Sequence, residues 1–230
     1  MGLPTIETPT FKLEIPSSKK EMKFRPFLVK EEKILTLASE AGDASEMVEA
    51  CQQVVSNCSF GELDVEEIPM FDLQWIFLQL RSKSVSELQE FNLICGHCSA
   101  NLPWQVNLND FKLVGLEEEA NRKIEIDDKN GIVLKYPSAK TMGKAESLQD
   151  DELILECVEC IYSEDEVWEA KDIDYKELIE YIDNMPVNTL SKVKEFFENV
   201  PLLGHTIDFK CPKCEGQNSV NINGYEHFFA

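Results

Sequence analysis

The chain has 230 residues, 43% of them hydrophobic, and carries 43 acidic against 22 basic side chains, a formal charge of −21. The apolar share supports a real core, in one large domain or two small ones. So acidic a surface repels phosphate backbones and anionic lipid, which speaks against charge-driven binding to nucleic acid or membranes.

Residues 1–10 read as a flexible N-terminal arm. A hairpin is expected over 11–27, with Phe11, Leu13 and Ile15 alternating on one face and Pro26 ending it. A helix follows over 29–41, with an apolar stripe of Ile34, Leu35 and Leu37 and a stop at Gly42. Ser45 can cap a second helix that runs through Cys58 with Met47, Val48, Cys51, Val54 and Val55 inward. After a turn at 64–69 comes the most hydrophobic helix, holding Phe71, Leu73, Trp75, Ile76, Phe77, Leu78 and Leu80. Apolar residues nearly all round it imply burial on several sides. Strands at 91–94 and 104–108 flank a first Cys-x-x-Cys knuckle, and a charged linker at 116–121 follows. The sequence then predicts a second hairpin at 122–136, a mobile loop at 138–148, and helices over 150–162, 175–184 and 190–200. A second knuckle, 206–223, precedes Tyr225, Phe228 and Phe229, which are expected to tuck into a core or an interface.

The two knuckles carry one signature. Cys95-Gly96-His97-Cys98 leads into Val106-Asn107-Leu108-Asn109, and Cys211-Pro212-Lys213-Cys214 leads into Val220-Asn221-Ile222-Asn223. Upstream, Lys12-Leu13-Glu14-Ile15 reappears as Lys123-Ile124-Glu125-Ile126, and Met22 to Pro26 as Val133 to Pro137. The unit is too long for a solenoid repeat. The order hairpin, helices, knuckle therefore reads as an ancient duplication, against chance similarity between hairpins as the alternative. The expected fold is α+β, in two pseudo-symmetric halves, 11–115 and 122–230, packed as one body.

Two knuckles supply the four thiolates a structural zinc ion takes. Cys95, Cys98, Cys211 and Cys214 are thus the expected ligands, and a closed all-sulfur site can only be structural. The alternatives are four thiols left by a decayed site, or one ion per knuckle completed by His97, His205 or His227. His97 is expected to point away from a metal held by its neighbours. Cys157 and Cys160 lie in a helical, acidic setting that favours core packing over a ligand pair or a redox site, and Cys51 and Cys58 read as core. No run approaches the roughly 18 apolar residues of a membrane span. Residues 1–6 show neither a secretory signal nor a myristoylation signature. A reducing cytoplasm is the expected compartment, where paired cysteines favour metal over disulfide. There is no Gly-rich phosphate loop, no His-Glu-x-x-His and no Gly-x-Ser-x-Gly, so no enzyme is expected.

Several stretches resemble the baseplate hub and hub-assembly family of T-even-type contractile-tailed phages. They are Phe24-Arg25-Pro26-Phe27-Leu28-Val29-Lys30-Glu31-Glu32-Lys33, the segment from Phe71 to Val85, the two knuckles, Glu195-Phe196-Phe197-Glu198 and the final Phe228-Phe229. The resemblance spans residues 10–229 and rests on the order of elements rather than on a catalytic fingerprint. It implies a non-enzymatic structural or chaperone-like assembly protein, with other hub proteins as partners. Its place would be the host cytoplasm during assembly or the tail baseplate itself. Trp168, Phe228 and Phe229 are the candidate partner contacts, with core burial as the alternative for each. The rivals to this reading are an acidic zinc-ribbon adaptor that binds a basic protein outside any phage particle, and a metalloenzyme whose zinc keeps an open position for water. The basic first hairpin (Lys12, Lys19, Lys20, Lys23, Arg25, Lys30) and the acidic runs 117–119 and 164–166 offer a polarity that contacts could use, although single runs usually mark solvated faces.

Overall fold

The computed structural model describes residues 7–116, 122–143 and 150–224. The class is α+β, built from small antiparallel sheets and helices. By its contacts the chain divides into two compact units. The first joins Met1–Val114 to Leu202–Ala230, and the second is Gly115–Pro201. Both knuckles therefore belong to the first unit, and the second is an insertion between them.

The first unit opens with the hairpin β1 (Phe11–Ile15) and β2 (Lys20–Phe24). Three helices follow: α1 (Val29–Ala41), α2 (Ala44–Cys58) and α3 (Met70–Ser84). Gly42 ends α1 in the left-handed conformation (φ 69°), which glycine adopts without a Cβ penalty. The cap of α2 is Asp43 rather than Ser45; its carboxylate accepts the N–H groups of Ser45 and Glu46. The α1 stripe also differs from the expected one. Glu31, Leu35 and Ala38 face inward, whereas Leu37 is exposed. In α3 the burial runs almost all round, as its composition implies: Leu73, Ile76, Phe77, Leu78 and Leu80 are fully buried. Trp75 of the same helix is only half-buried.

Two polar contacts fix the first hairpin on this helical layer. Arg25, just past β2, pairs with the wholly buried Glu31 (Nη2 to Oε1, 2.9 Å), while the Leu28 N–H donates to Glu31 Oε2 at 2.8 Å. Burial disfavours the Glu31 carboxylate, but the bonds from Arg25 and Leu28 outweigh it and hold its pKa below the usual value. The second contact is Asp72, also fully buried, in the first turn of α3. Ser17 in the β1–β2 turn donates both its backbone N–H (3.0 Å) and its hydroxyl to it. Here desolvation wins, and Asp72 is pushed up to about 6 despite the Ser17 bonds and the charge of Lys19.

After α3 come β3 (Leu88–Ile94) and β4 (Asn101–Asn107), then the short β5 (Lys112–Val114). The second unit holds the four-stranded sheet β6 (Lys123–Glu125), β7 (Gly131–Leu134), β8 (Val158–Tyr162), β9 (Val167–Glu169), in that order. Its helices are α4 (Ala139–Gly143), α5 (Asp150–Cys157), α6 (Tyr175–Asp183) and α7 (Val187–Glu198). Its own core gathers Ile132, Leu134, Leu155, Val158, Leu178, Val193 and Phe196. The expected loop at 138–148 is helical over its first part, and residues 144–149 lie outside the described residues. The helix expected over 150–162 stops at Cys157 and continues as β8, because Val158 and Ile161 pair with Leu134 and Ile132 of β7. The chain returns to the first unit through β10 (Leu202–Lys210) and β11 (Gln217–Asn223). Leu202 pairs with Val114, so β5 and β10 close the ends of the insertion against each other.

The structure separates the two strands of the repeat. β3–β4 pairs Ile94 with Asn101 and Leu88 with Asn107; β10–β11 pairs Lys210 with Gln217 and Gly204 with Asn223. The register is identical at an offset of 116. The opening hairpins do not carry their offset of 111 through: Lys12 pairs with Lys23, but Lys123 pairs with Val133 rather than with Leu134.

The buried pair generates the first prediction. Glu31→Gln leaves Arg25 without its counter-charge in the interior, which costs about 3 kcal/mol or more. Urea unfolding should show this loss and little change for the exposed Glu32→Gln. The second concerns pH. The folded pKa of Asp72 lies above its unfolded value, so the native state binds the extra proton and stability falls as pH rises from about 4 through 6. Asp72→Asn can keep both Ser17 contacts and should flatten that slope, leaving the variant at least as stable as wild type at pH 7. A clearly less stable variant at pH 7 would mean that the ionised carboxylate is the stabilising form.

Candidate metal centre

Each knuckle is a tight turn built the same way. In the first, the Ser99 N–H donates to Cys95 O and the Cys95 N–H to Ala100 O, both at 2.9 Å. In the second, the Glu215 N–H donates to Cys211 O and the Cys211 N–H to Gly216 O, again at 2.9 Å. Ser99 (φ 55°) and Glu215 (φ 59°) occupy the left-handed region at the same place after the second cysteine. The hairpins behind them touch through Trp104 and Phe209, whose ring centroids are 5.4 Å apart.

This places the four sulfurs in one cluster, all within 4.8 Å of one another. Two short approaches cross between knuckles: Cys95 to Cys214 at 3.6 Å and Cys98 to Cys211 at 3.8 Å. A tetrahedron with zinc–sulfur bonds of ~2.3 Å has edges of about 3.8 Å. The cluster thus fits one four-sulfur ion shared by the knuckles better than one ion for each. Cys95 and Cys211 are buried, and Cys98 and Cys214 face solvent.

The protons argue the same way. Burial opposes ionisation of Cys95, yet the N–H groups of His97 and Cys98 and the thiols of Cys211 and Cys214 bring it down to about 6. For Cys214 the Gly216 N–H favours the thiolate, but Cys98, burial, Cys95 and Cys211 push it up to about 12. One thiolate forms readily, and its presence makes the last one costly. A divalent cation at the centre removes that conflict, because each sulfur then faces positive charge.

The other expected residues fall elsewhere. His97 Nε2 lies 2.9 Å from Gln217 O, outside the sulfur set, and His205 packs against Phe111 with centroids 5.3 Å apart. Cys51 and Cys58 are buried in the α2 face. Cys157 is buried at the end of α5 and Cys160 is half-buried on β8, so they do not share the helical face expected of them. Trp168 stands exposed (43%) on β9. Phe228, Phe229 and His227 lie outside the described residues. Sequence reasoning missed Gly96, Gly216 and Asn218, which link one knuckle to the other; Gly96 and Gly216, glycines beside the cysteines, were the available signal.

Compared with known proteins, residues 8–230 match the family described as T4 bacteriophage base plate protein. The chain belongs to that family. No curated protein and no solved structure matches it. Membership points to a structural protein of the phage tail baseplate, one that contacts other baseplate proteins. Within this baseplate protein no helix among the described residues is long and apolar enough to cross a membrane.

Serine at Cys95 or Cys211 should abolish stoichiometric zinc uptake by the reduced protein and lower its melting temperature. Metal content by mass spectrometry together with thermal melting decides this; both unchanged in both variants would exclude a shared site.

Proposed function

We propose that this protein is a non-enzymatic structural or assembly component of the baseplate hub, its first unit pinned by one structural zinc ion on Cys95, Cys98, Cys211 and Cys214. The family match over nearly the whole chain carries the baseplate part of this reading. The all-sulfur cluster supports the structural part, since four protein ligands leave no open position for an activated water. The hub itself is inferred from the order of sequence elements.

The partner surface we favour is the outer edge of the second unit's sheet. β9 is the end strand, and all three of its residues are exposed. Val167 and Trp168 present apolar surface there, with Glu164, Asp165, Glu166 and Glu169 around them. A bare edge flanked by carboxylates suits an extended, basic segment of a neighbouring hub protein, steered by charge and anchored on the tryptophan. Phe228 and Phe229 remain proposed as further contacts. Assembly would take place in the host cytoplasm.

Co-expression with the other hub proteins of the same phage, followed by purification under reducing conditions, tests this. The expected result is a stable complex with one zinc per copy of this chain, weakened at least tenfold by Trp168→Ala without loss of zinc. Recovery of a free protein that joins none of the hub proteins would contradict the proposal. Mass spectrometry of purified virions then separates a component that stays from a factor that leaves.

A further inference from the structure

The two knuckles meet through more than sulfur, and they do so on one side only. The exposed His97 ring reaches across from the first knuckle, where Nε2 lies 2.9 Å from Gln217 O and donates to it in the tautomer protonated at that nitrogen. The ring lies directly on Gly216. A Cβ there would stand 2.4 Å from the ring Cδ2 and 2.9 Å from Cγ, so any larger residue would push the imidazole off this seat. Beside it the Gly96 N–H donates to Asn218 Oδ1 at 2.9 Å, and Asn218 Nδ2 donates to Gly216 O at 2.9 Å. The same stretch of chain serves the cluster, because the His97 N–H points at Cys95 Sγ, 3.4 Å away.

The clasp made by His97, Gly216, Asn218 and the Gly96 N–H has no counterpart across the repeat. At the offset of 116, His97 corresponds to Lys213, Gly216 to Ala100, Asn218 to Leu102, and Gly96 to Pro212, which has no N–H to give. Four sulfurs around a tetrahedral ion make equal demands on both knuckles. The one-sided polar clasp is therefore a separate device, placed where it fixes the distance between knuckles.

We propose that His97 and Asn218 are positioning residues that hold the second knuckle against the first whether or not an ion is present, so that the four sulfurs stand preassembled for a divalent thiophilic cation. This rests on the metal reading above. Without the clasp, the hairpins must first be brought into register, and that ordering cost is subtracted from the binding free energy. Outer partners of this kind typically change metal affinity 10–100-fold.

The test is zinc affinity of the reduced, full-length protein, measured by competition with a chromophoric chelator. His97→Ala and Asn218→Ala should each weaken binding about 10–100-fold, with the folded state checked by circular dichroism. His97→Gln, whose amide can still donate to Gln217 O, should recover much of the loss. Gly216→Ala should weaken binding by itself yet add little to His97→Ala, because its clash is with the missing ring; that non-additivity is specific to the contact. In metal-stripped wild-type protein, NMR contacts between the His97 ring and the Gly216 α-protons should persist. Wild-type affinity in both alanine variants, or loss of the ring contacts on stripping, would overturn the proposal. A wild-type protein that takes up no zinc would instead overturn the metal reading and this inference with it.

Discussion

Four sulfur atoms from two places 116 residues apart (Cys95 to Cys211) come within 4.8 Å of one another, and the organisation of the first unit follows from that closure. The chain leaves the unit after β5, builds a whole second unit, and must return with β10 in one register and one orientation. Closing so long a loop costs entropy that grows only slowly with length, so a few well-placed links suffice. Here they form a short series: Val114 against Leu202, Trp104 against Phe209, and the sulfur cluster at the far end of the hairpins. Strand pairing fixes the near end of β10, and the cysteines fix its tip.

The other constraints on this unit are charges placed where composition would put hydrocarbon. Glu31 sits on the buried stripe of α1 and Asp72 on the buried first turn of α3. One carboxylate is paired with an arginine and held ionised; the other is bonded to a serine and drifts toward its neutral form. Both hold the opening hairpin and the Arg25–Pro26 corner on the helical layer. They fix orientation more than they add stability, since burying a charge costs much of what its partner returns. Among the described residues the acidic excess thus reaches inside at Glu31 and Asp72, where donors from neighbouring segments meet it.

The knuckles were legible in the sequence because their chemistry is local. A Cys-x-x-Cys turn needs few residues, and the shared trailing pattern announced a register that the hairpins keep pair by pair. The long helix α3 was equally plain from its apolar run. What could not be read depended on distant partners. Residues 153–161 carry a helical stripe, and only the β7 strand alongside turns Val158–Tyr162 into a strand. Glu31 looked like one more surface acid until Arg25 was beside it. Asp72 needed Ser17, 55 residues away, to show why it is buried. The opening hairpins share a pattern without sharing a register, because Lys-apolar-Glu-apolar fixes alternation and leaves the pairing to the turn. The grouping of both knuckles in one unit lay beyond the repeat as well, since adjacency in sequence favoured each knuckle with its own half.

For a baseplate protein, the consequence is a first unit in which two knuckles distant in sequence close on one another beside a helical core, and a second unit with a sheet and core of its own. The most direct measurement is X-ray absorption at the zinc edge on protein purified under reducing conditions. The account predicts about one zinc per chain, four sulfur neighbours at about 2.3 Å and no oxygen or nitrogen in the first coordination sphere. Mixed ligation, or protein that is fully folded and carries no bound metal, would contradict it.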